Sequence, residues 1–325
     1  MACFPLTDGV LRLRPPTPAD VPVLIAGRDD ERRRWLGPGS DAPEPTACIE
    51  VDGHVVGWVD HEWGQEWLGP GEVNVGYELF PAHRGRGLAT RAVQLLMHHM
   101  AHAGEHHTAT LSIDPGNARS LALAARTRFA AHGDPRGGHL RFKRPVPPLN
   151  YSDGVVTIRR PRVADVDAHI ATIDDEQIRW LWRPGEREQW AVKSPEEQRM
   201  HTARYLRGLA DAFASGPKWT FSVDTSAATH VALVDCNLAN ENVAPGTANI
   251  AYACHPAHRG RGYVTRAVRL LLKFLAEQTG AREAHILVNP DNLASLRVAR
   301  AIGATAVETF TTADGERNIR HVVQV

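Results

Sequence analysis

The sequence predicts an α+β protein of the three-layer α/β kind, built from two tandem copies of one domain, each a mixed central β-sheet flanked by helices. The repeat is the first observation behind this. Asn74–Val93 reads NVGYELFPAHRGRGLATRAV and Asn249–Val268 reads NIAYACHPAHRGRGYVTRAV, with 13 of 20 positions identical at an offset of 175. The same offset carries Asp114-Pro115-Gly116-Asn117-Ala118-Arg119-Ser120 onto Asn289-Pro290-Asp291-Asn292-Leu293-Ala294-Ser295 without a gap. Upstream, an offset of 145 pairs Asp8-Gly9-Val10 with Asp153-Gly154-Val155, Ala19-Asp20-Val21 with Ala164-Asp165-Val166, and Trp35-Leu36 with Trp180-Leu181. The second observation is length: 325 residues at roughly 150 per domain make two ordinary domains. The third is a common order of strands and helices. A period this long means duplicated domains, not a solenoid.

Each half begins with a short strand (Leu11–Arg14; Val156–Arg159) leading into a helix that holds the Ala-Asp-Val triplet. Two alternating strands follow, Ala47–Val51 with His54–Asp60 and Thr220–Asp224 with His230–Asp235. A further strand (Val73–Leu79; Asn249–Cys254) runs into a glycine-rich turn, and a helix starts near Leu88 or Tyr263. Ala92, Leu96 and Met100 share one face of the first such helix, and Val268, Leu271 and Leu275 one face of the second, which is helical spacing. A strand (Thr108–Ile113; Ala284–Val288), a helix from Asn117 or Asn292 and a C-terminal strand pair complete the order. Asparagine suits the cap, offering a side-chain oxygen to the first free amides.

The change of offset places 30 additional residues in the second half, between Trp180 and Asn249. They carry Ser194-Pro195-Glu196-Glu197, a capping box with proline at the first helical position. Met200, Ala203, Leu206, Leu209, Ala210 and Phe213 then make an apolar stripe that Gly216 ends. The first half has lost this helix and crosses from Leu36 to Pro45 through Gly and Pro. The Pro-rich stretch Arg144–Asn150 reads as an extended linker. The expected domains are 1–146 and 147–325.

Lys plus Arg equals Asp plus Glu at 37 each. Without a basic excess the main electrostatic argument for nucleic acid or an anionic membrane surface is gone. No apolar run approaches the roughly 20 residues that span a bilayer, and Met1–Leu11 lacks the pattern of a signal peptide. Cys3, Cys48, Cys236 and Cys254 are widely spaced and read as free thiols. The expectation is a cytoplasmic protein, monomeric or homodimeric, that takes no nucleic acid and no membrane.

A strand ending in a turn of Gly and Arg that opens onto a helix is an anion-binding device. The helix head leaves unpaired N–H groups and a partial positive charge, glycine admits close approach, and arginine adds charge-assisted hydrogen bonds. Arg84-Gly85-Arg86-Gly87-Leu88-Ala89 supplies this in the first half and Arg259-Gly260-Arg261-Gly262-Tyr263-Val264 in the second. Neither is followed by Gly-Lys-Ser/Thr, and neither is G-x-G-x-x-G. An ordinary tight turn is the plain alternative; a second copy with the same flanking strand and Asn-x-x-Ser helix argues against it.

This unit resembles the GNAT N-acetyltransferase family, and Tyr77-x-x-x-Pro81-x-x-Arg84-Gly85-x-Gly87 with Asn117-x-x-Ser120 is closest to its RimJ/RimL-like branch. The resemblance covers both halves and is most specific over 74–120 and 249–295. It implies an acyl-CoA cofactor, acetyl-CoA first. Arg84, Gly85, Arg86, Gly87, Leu88 and Ala89, with the adjoining Thr90, would hold its pyrophosphate; Leu79 and Phe80 would pair with the pantetheine amides and Asn117 would contact the pantetheine arm. Arg259, Gly260, Arg261, Gly262, Tyr263, Val264 and Asn292 are the second-half counterparts. The strand bearing Tyr77-Glu78-Leu79 would splay from its neighbour to admit the thioester. The tyrosine acid that many members place seven residues after the asparagine is Ala124 and Ala299 here, so Ser120 and Ser295 are the candidate acids, or simply helix caps. Glu78 is the candidate base, or a solvated residue on an alternating strand. The implied reaction is acyl transfer to the primary amine of a small metabolite or antibiotic-like compound, since tandem members occur in antibiotic gene clusters. A protein N-terminus as acceptor, a non-catalytic acyl-CoA sensor and a purely structural second half are the alternatives.

The halves are unequal. The first keeps Ala89 and Glu78, where the second has Val264 and Ala253. The second keeps Gly303 and the Pro195–Ala214 helix, where the first has Arg128 before Phe129 and no helix. The first half is therefore expected to be the tighter cofactor site. His98, His102 and His106, one turn apart, read as surface histidines in preference to a metal site. Trp35 and Trp180 read as core. Asp60–Trp67 reads as a solvated loop in preference to a face for a cationic acceptor.

Overall fold

The structure is a computed structural model that describes residues 4–135, 137–312 and 315–325. It divides into two compact units, Met1–Pro148 with Glu277–Gly280, and Leu149–Ala276 with Ala281–Val325. Cys3 lies outside the described residues.

The first unit runs β1 (Leu6–Thr7), β2 (Arg12–Arg14), α1 (Val21–Ala26), α2 (Asp30–Leu36), β3 (Ala47–Val51), β4 (His54–Glu62), β5 (Glu72–Leu79), α3 (Leu88–Ala103), β6 (Thr108–Ile113), α4 (Ala118–Arg126), β7 (Ala130–Ala131) and β8 (Leu140–Pro145). Its sheet order is β1-β2-β3-β4-β5-β6-β8-β7. Every neighbouring pair is antiparallel except β5 and β6, whose parallel contact covers only Glu72–Asn74 against Thr108–Thr110. Past Asn74 the two strands part, and the sheet opens into a cleft. The long helix α3 packs on β4 and β5. Val93, Leu96, Met97 and Met100 lie in the core with Val59, Val73 and Leu111.

The second unit repeats the order with one insertion. It runs β9 (Tyr151–Ser152), β10 (Val156–Arg159), α5 (Val166–Ile170), α6 (Asp175–Leu181), α7 (Glu186–Ala191), α8 (Pro195–Ala212), β11 (Lys218–Thr225), β12 (Ala232–Asn237), β13 (Ala248–Cys254), α9 (Tyr263–Gln278), β14 (Glu283–Val288), α10 (Leu293–Ala301), β15 (Thr305–Thr311) and β16 (Arg317–Gln324). The sheet order is β15-β16-β14-β13-β12-β11-β10-β9. Again one pair is parallel, Ala248–Asn249 against Ala284–His285, and again it parts at once. The Ser194–Glu197 capping box is formed and α8 covers β11.

The repeated Ala-Asp-Val triplets acquire a reason. Asp20 takes both terminal nitrogens of Arg14 at 2.8 Å, and Asp165 those of Arg159 at 2.8 and 2.7 Å. Each aspartate also accepts a main-chain N–H at the entry to the first helix, from Thr17 or Arg162. The pair thus staples that helix to the second strand of its sheet. The triplet itself straddles two elements: a single 3-10 turn precedes α1, and α1 gives way to a separately capped α2 at Asp29.

Three expectations are corrected by the structure. Of the predicted surface histidines, His98 is fully buried and His102 and His106 are half-buried, because α3 lies against the sheet. Its neighbour His99 stacks on Phe4 with centroids 4.3 Å apart, and desolvation pushes its ring down to about 4. Among the described residues no group of three or more His, Cys, Asp or Glu side chains has metal-holding geometry. Trp35 and Trp180 are not core; both are half-buried. Of the predicted loop, Asp60, His61 and Glu62 belong to β4, and Asp60 accepts from Thr46. Cys48, Cys236 and Cys254 are free thiols, raised by burial, Cys48 and Cys254 to about 11. Among the described residues no helix is long and apolar enough to cross a membrane.

Candidate active site

β5 leads into the site. Gly57 on β4 faces the carbonyl of Glu78 so closely that no Cβ fits, which sets β4 tight against the last residues of β5. After Leu79 a 3-10 turn, Pro81–His83, reverses the chain into the glycine turn. Gly85 and Gly87 have φ of +78° and +77°, and Gly260 and Gly262 both +75°. Only glycine takes these values without strain. The first hydrogen bond closing each long helix is Arg91 N–H to Gly87 O, and Arg266 N–H to Gly262 O, both at 3.2 Å. The N–H groups of residues 85–90 and 260–265 therefore have no acceptor in the described chain: six consecutive donors at each helix head.

The arginines of the turn divide in role. Arg84 does not offer its side chain to a ligand. Its Nε donates to Leu79 O at 2.9 Å, Nη1 to Asp29 and Glu31 at 2.6 and 2.9 Å, and Nη2 to Asp29 at 2.9 Å. Arg259 binds Asp174 and Glu176 in the same way at 2.6–2.8 Å. Arg84 holds the Asp29 carboxyl down to about 2, and Arg259 lowers Asp174 likewise. The expected phosphate ligands are therefore struts, which tie the turn to the N-terminus of α2 or α6. Arg86 and Arg261 stay exposed, with no described partner.

The main chain of Phe80 is also spent. Its N–H donates to Val56 O at 2.8 Å and its carbonyl accepts from His83 at 2.9 Å, while Leu79 O serves Arg84. Of the expected pantetheine partners, the Phe80 main chain and the Leu79 carbonyl are thus committed within the chain. The unpaired edge lies further back, from Val75 onward, where β5 has left β6. Asn117 and Asn292 cap their helices, accepting from Ser120 N–H at 3.1 Å and Ser295 N–H at 3.0 Å. Among the described residues neither amide NH2 has an acceptor, so only the oxygen of each side chain is spent on the cap.

Of the second-half candidates, Arg259, Gly260, Gly262, Tyr263, Val264 and Asn292 come together on one cavity of about 640 Å³, which Trp180 and Ser295 also line. Val264 forms part of its wall and does not close it. In the first unit the corresponding face of α4 carries Arg119, which reaches Glu31 at 2.7 Å, and Arg126, whose Nε lies 3.3 Å from Thr90 Oγ1. At the matching positions the second unit has Ala294 and Ala301, and both line the cavity. In the second unit, therefore, two short side chains line the cavity where the first unit has two long cations.

The predicted acid and base both have partners that the local sequence does not announce. Ser120 Oγ lies 2.8 Å from the hydroxyl of Tyr77, a phenol raised by burial. In the second unit Tyr252, raised to about 12 by burial, bonds instead to the carbonyl of Ser295 at 3.3 Å. Glu78 is not solvated: it is 4% exposed, and its Oε2 accepts from Trp58 Nε1 at 2.7 Å and Arg32 Nε at 3.2 Å. Its Oε1 is buried with no donor. The motif includes Tyr77 but does not announce its contact with Ser120, and it does not reach Arg32 and Trp58 at all. The one sequence signal for the last two is that they change together with Glu78 between the halves, to Gln177, Leu233 and Ala253.

Comparison with known proteins matches the model of the acetyltransferase (GNAT) domain to residues 11–130 and again to 156–305. Among curated proteins nothing matches. Solved structures that resemble the chain include an acetyltransferase (GNAT family) from Bacillus anthracis, at 16% identity over 54% of this chain and 98% of that one, with a TM-score of 0.42. The ribosomal L7/L12 alpha-N-protein acetyltransferase RimL in complex with coenzyme A is 19% identical over 55% and 97%, with a TM-score of 0.43. The aminoglycoside acetyltransferase AAC(6')-Ib in complex with coenzyme A is 17% identical over 52% and 94%, with a TM-score of 0.41. With the family's model covering both halves, the chain belongs to the GNAT family of acetyltransferases and carries its domain twice.

Proposed function

We propose that the protein is an acyl-CoA-dependent N-acyltransferase, with acetyl-CoA the first candidate donor and the primary amine of a small metabolite or antibiotic-like compound the acceptor. The observation that carries this is the glycine turn. In both units it presents six unpartnered main-chain N–H groups and an exposed arginine at a helix head, beside strands that part. That is a fit for a pyrophosphate with a narrow arm running between strands.

Bound acyl-CoA supplies the activated acyl group as a thioester. The residues of the first unit manage the protons. Glu78 Oε1, bare and buried, is the base that takes a proton from the attacking amine. The Ser120 hydroxyl gives a proton to the departing sulfur; Tyr77, 2.8 Å away, donates to Ser120 Oγ and so leaves the serine proton free to point into the cleft. Removing one such group costs about 10²-fold or more in turnover. The second unit has Ala253 for Glu78 and spends Tyr252 on a carbonyl, which favours a site that binds acyl-CoA without transferring it.

Native mass spectrometry with acetyl-CoA on the full chain tests the binding. Gly87→Asp and Gly262→Asp place a carboxylate at each turn and are expected to abolish one adduct each, while the isosteric Gly87→Asn and Gly262→Asn, which tolerate a left-handed φ, keep it. No adduct in the unaltered protein would sink the reading. For the chemistry, Ser120→Ala and Glu78→Gln are expected to lower thiol release by about 10²-fold with the adduct retained. A peptide amine offered beside small amines separates the protein-N-terminus alternative.

A further inference from the structure

Glu78 is held with unusual one-sidedness. One carboxylate oxygen receives two donors, Trp58 Nε1 and Arg32 Nε, and the other receives none although it is buried. A bare buried oxygen is costly unless a ligand completes it. Arg32 is itself fixed. Its main-chain N–H donates to Asp29 Oδ1 at 2.9 Å and its Nη1 bonds to Gly37 O. Gly39, with φ of +78°, lies against the guanidinium where a Cβ would collide. The Gly-Pro-Gly stretch that replaces the missing helix is thus the seat of this arginine.

The second unit shows what happens without the set. Trp58 stands opposite Glu78 in the β4–β5 register, and at the same register of β12–β13 Leu233 stands opposite Ala253. Arg32 corresponds to Gln177. Removing one member of a buried pair strands the other charge, so loss of all three together keeps the fold and deletes the charge.

We propose that Arg32 and Trp58 are positioning residues that aim Glu78 Oε1 at a protonated primary amine, and that this three-residue set restricts cationic acceptors to the first unit. The inference rests on the reading of Glu78 as the base for the acceptor amine and adds the charge of the acceptor and the residues that select it. A neutral hydroxyl compound of the same size gains only a neutral hydrogen bond, whereas an ammonium gains a charge-assisted one.

The test uses the full chain carrying 15N-labelled tryptophan. The Trp58 indole N–H resonance, assigned by its loss in Trp58→Phe, is followed during titration with ethylammonium chloride and, separately, with ethanol at matched pH and ionic strength. A saturable ethylammonium shift at least tenfold tighter than ethanol's is expected. Glu78→Gln and Arg32→Gln are expected to abolish that preference and Arg32→Lys to restore part of it. Arg32→Gln/Glu78→Ala, which copies two of the second unit's three residues and keeps the Trp58 probe, is expected to melt higher than Arg32→Gln alone and to show no preference. Equal responses to the two probes, no response in the unaltered protein, or full ammonium affinity in Arg32→Gln would each overturn the proposal. Acetyl-CoA adducts measured on the same samples keep the two readings apart. Ammonium selectivity without an adduct sinks the transferase reading alone, and an adduct without selectivity sinks this inference alone.

Discussion

At the scale of single residues, hydrogen-bond accounting decides who is free to act. Arg84 and Arg86 look alike in sequence, two residues apart in one turn, yet the first is bound to Asp29 and Glu31 and the second is exposed. The paired carboxylates, Asp29 and Glu31, lie two residues apart at the head of α2, some fifty residues upstream, which is why motif reading assigned both arginines to the ligand. Arg128 illustrates a different constraint. It holds φ of +63°, where the equivalent Gly303 has +83°. A non-glycine residue in this region costs roughly 1–2 kcal/mol. Arg128→Gly is therefore expected to raise the stability of the first unit by about 1 kcal/mol in urea denaturation, with acetyl-CoA binding unchanged.

At the scale of elements, α4 and α10 show how one helix in two copies sets two different clefts. Both start from an asparagine cap, and both present a serine in the first turn. What differs is Arg119 and Arg126 against Ala294 and Ala301. In the first unit these side chains reach α2 and the first turn of α3. An exposed ion pair such as Arg119–Glu31 contributes at most about 1 kcal/mol, and Arg126 adds only a long hydrogen bond to a hydroxyl, so the two act as a light brace. Arg119→Ala/Arg126→Ala, in a Gly262→Asp background that silences the second turn, is expected to speed acetyl-CoA association at the first unit several-fold. Stopped-flow measurement checks this; an unchanged rate would mean the brace does not govern entry.

At the scale of the whole molecule, duplication has given one fold two internal electrostatics. The first unit packs Leu24, Cys48 and Val55 where the second has His169, Ser222 and His230. There His169 Nδ1 lies 3.1 Å from His230 Nε2, and His230 Nδ1 2.8 Å from Ser222 Oγ, which reaches Asp165 at 3.2 Å. Burial pushes both rings down to about 4. Such a depression means that the unfolded chain binds protons that the folded unit refuses. Stability is therefore full above the unfolded value near 6.5 and is lost as pH falls toward 4. Scanning calorimetry from pH 7 to 4 is expected to show this acid loss. His169→Leu/His230→Val, which restores the first unit's residues, is expected to flatten it.

The sequence by itself determined the duplication, the strand and helix order, the capping box of α8, the asparagine caps and both glycine turns. These are local or repeated features: periodicity, cap chemistry and left-handed glycine are set by residues near one another in the chain. It left α7, the short edge strands and the inward facing of the α3 histidines unread, since none has a local signature. Tertiary structure alone decided which arginine of the turn is free, which oxygen of Glu78 is bare, that Tyr77 reaches Ser120, and which side chains of α4 and α10 reach across to neighbouring helices. Each depends on partners brought together from distant segments, and burial and hydrogen-bond competition between such segments have no counterpart in a local pattern.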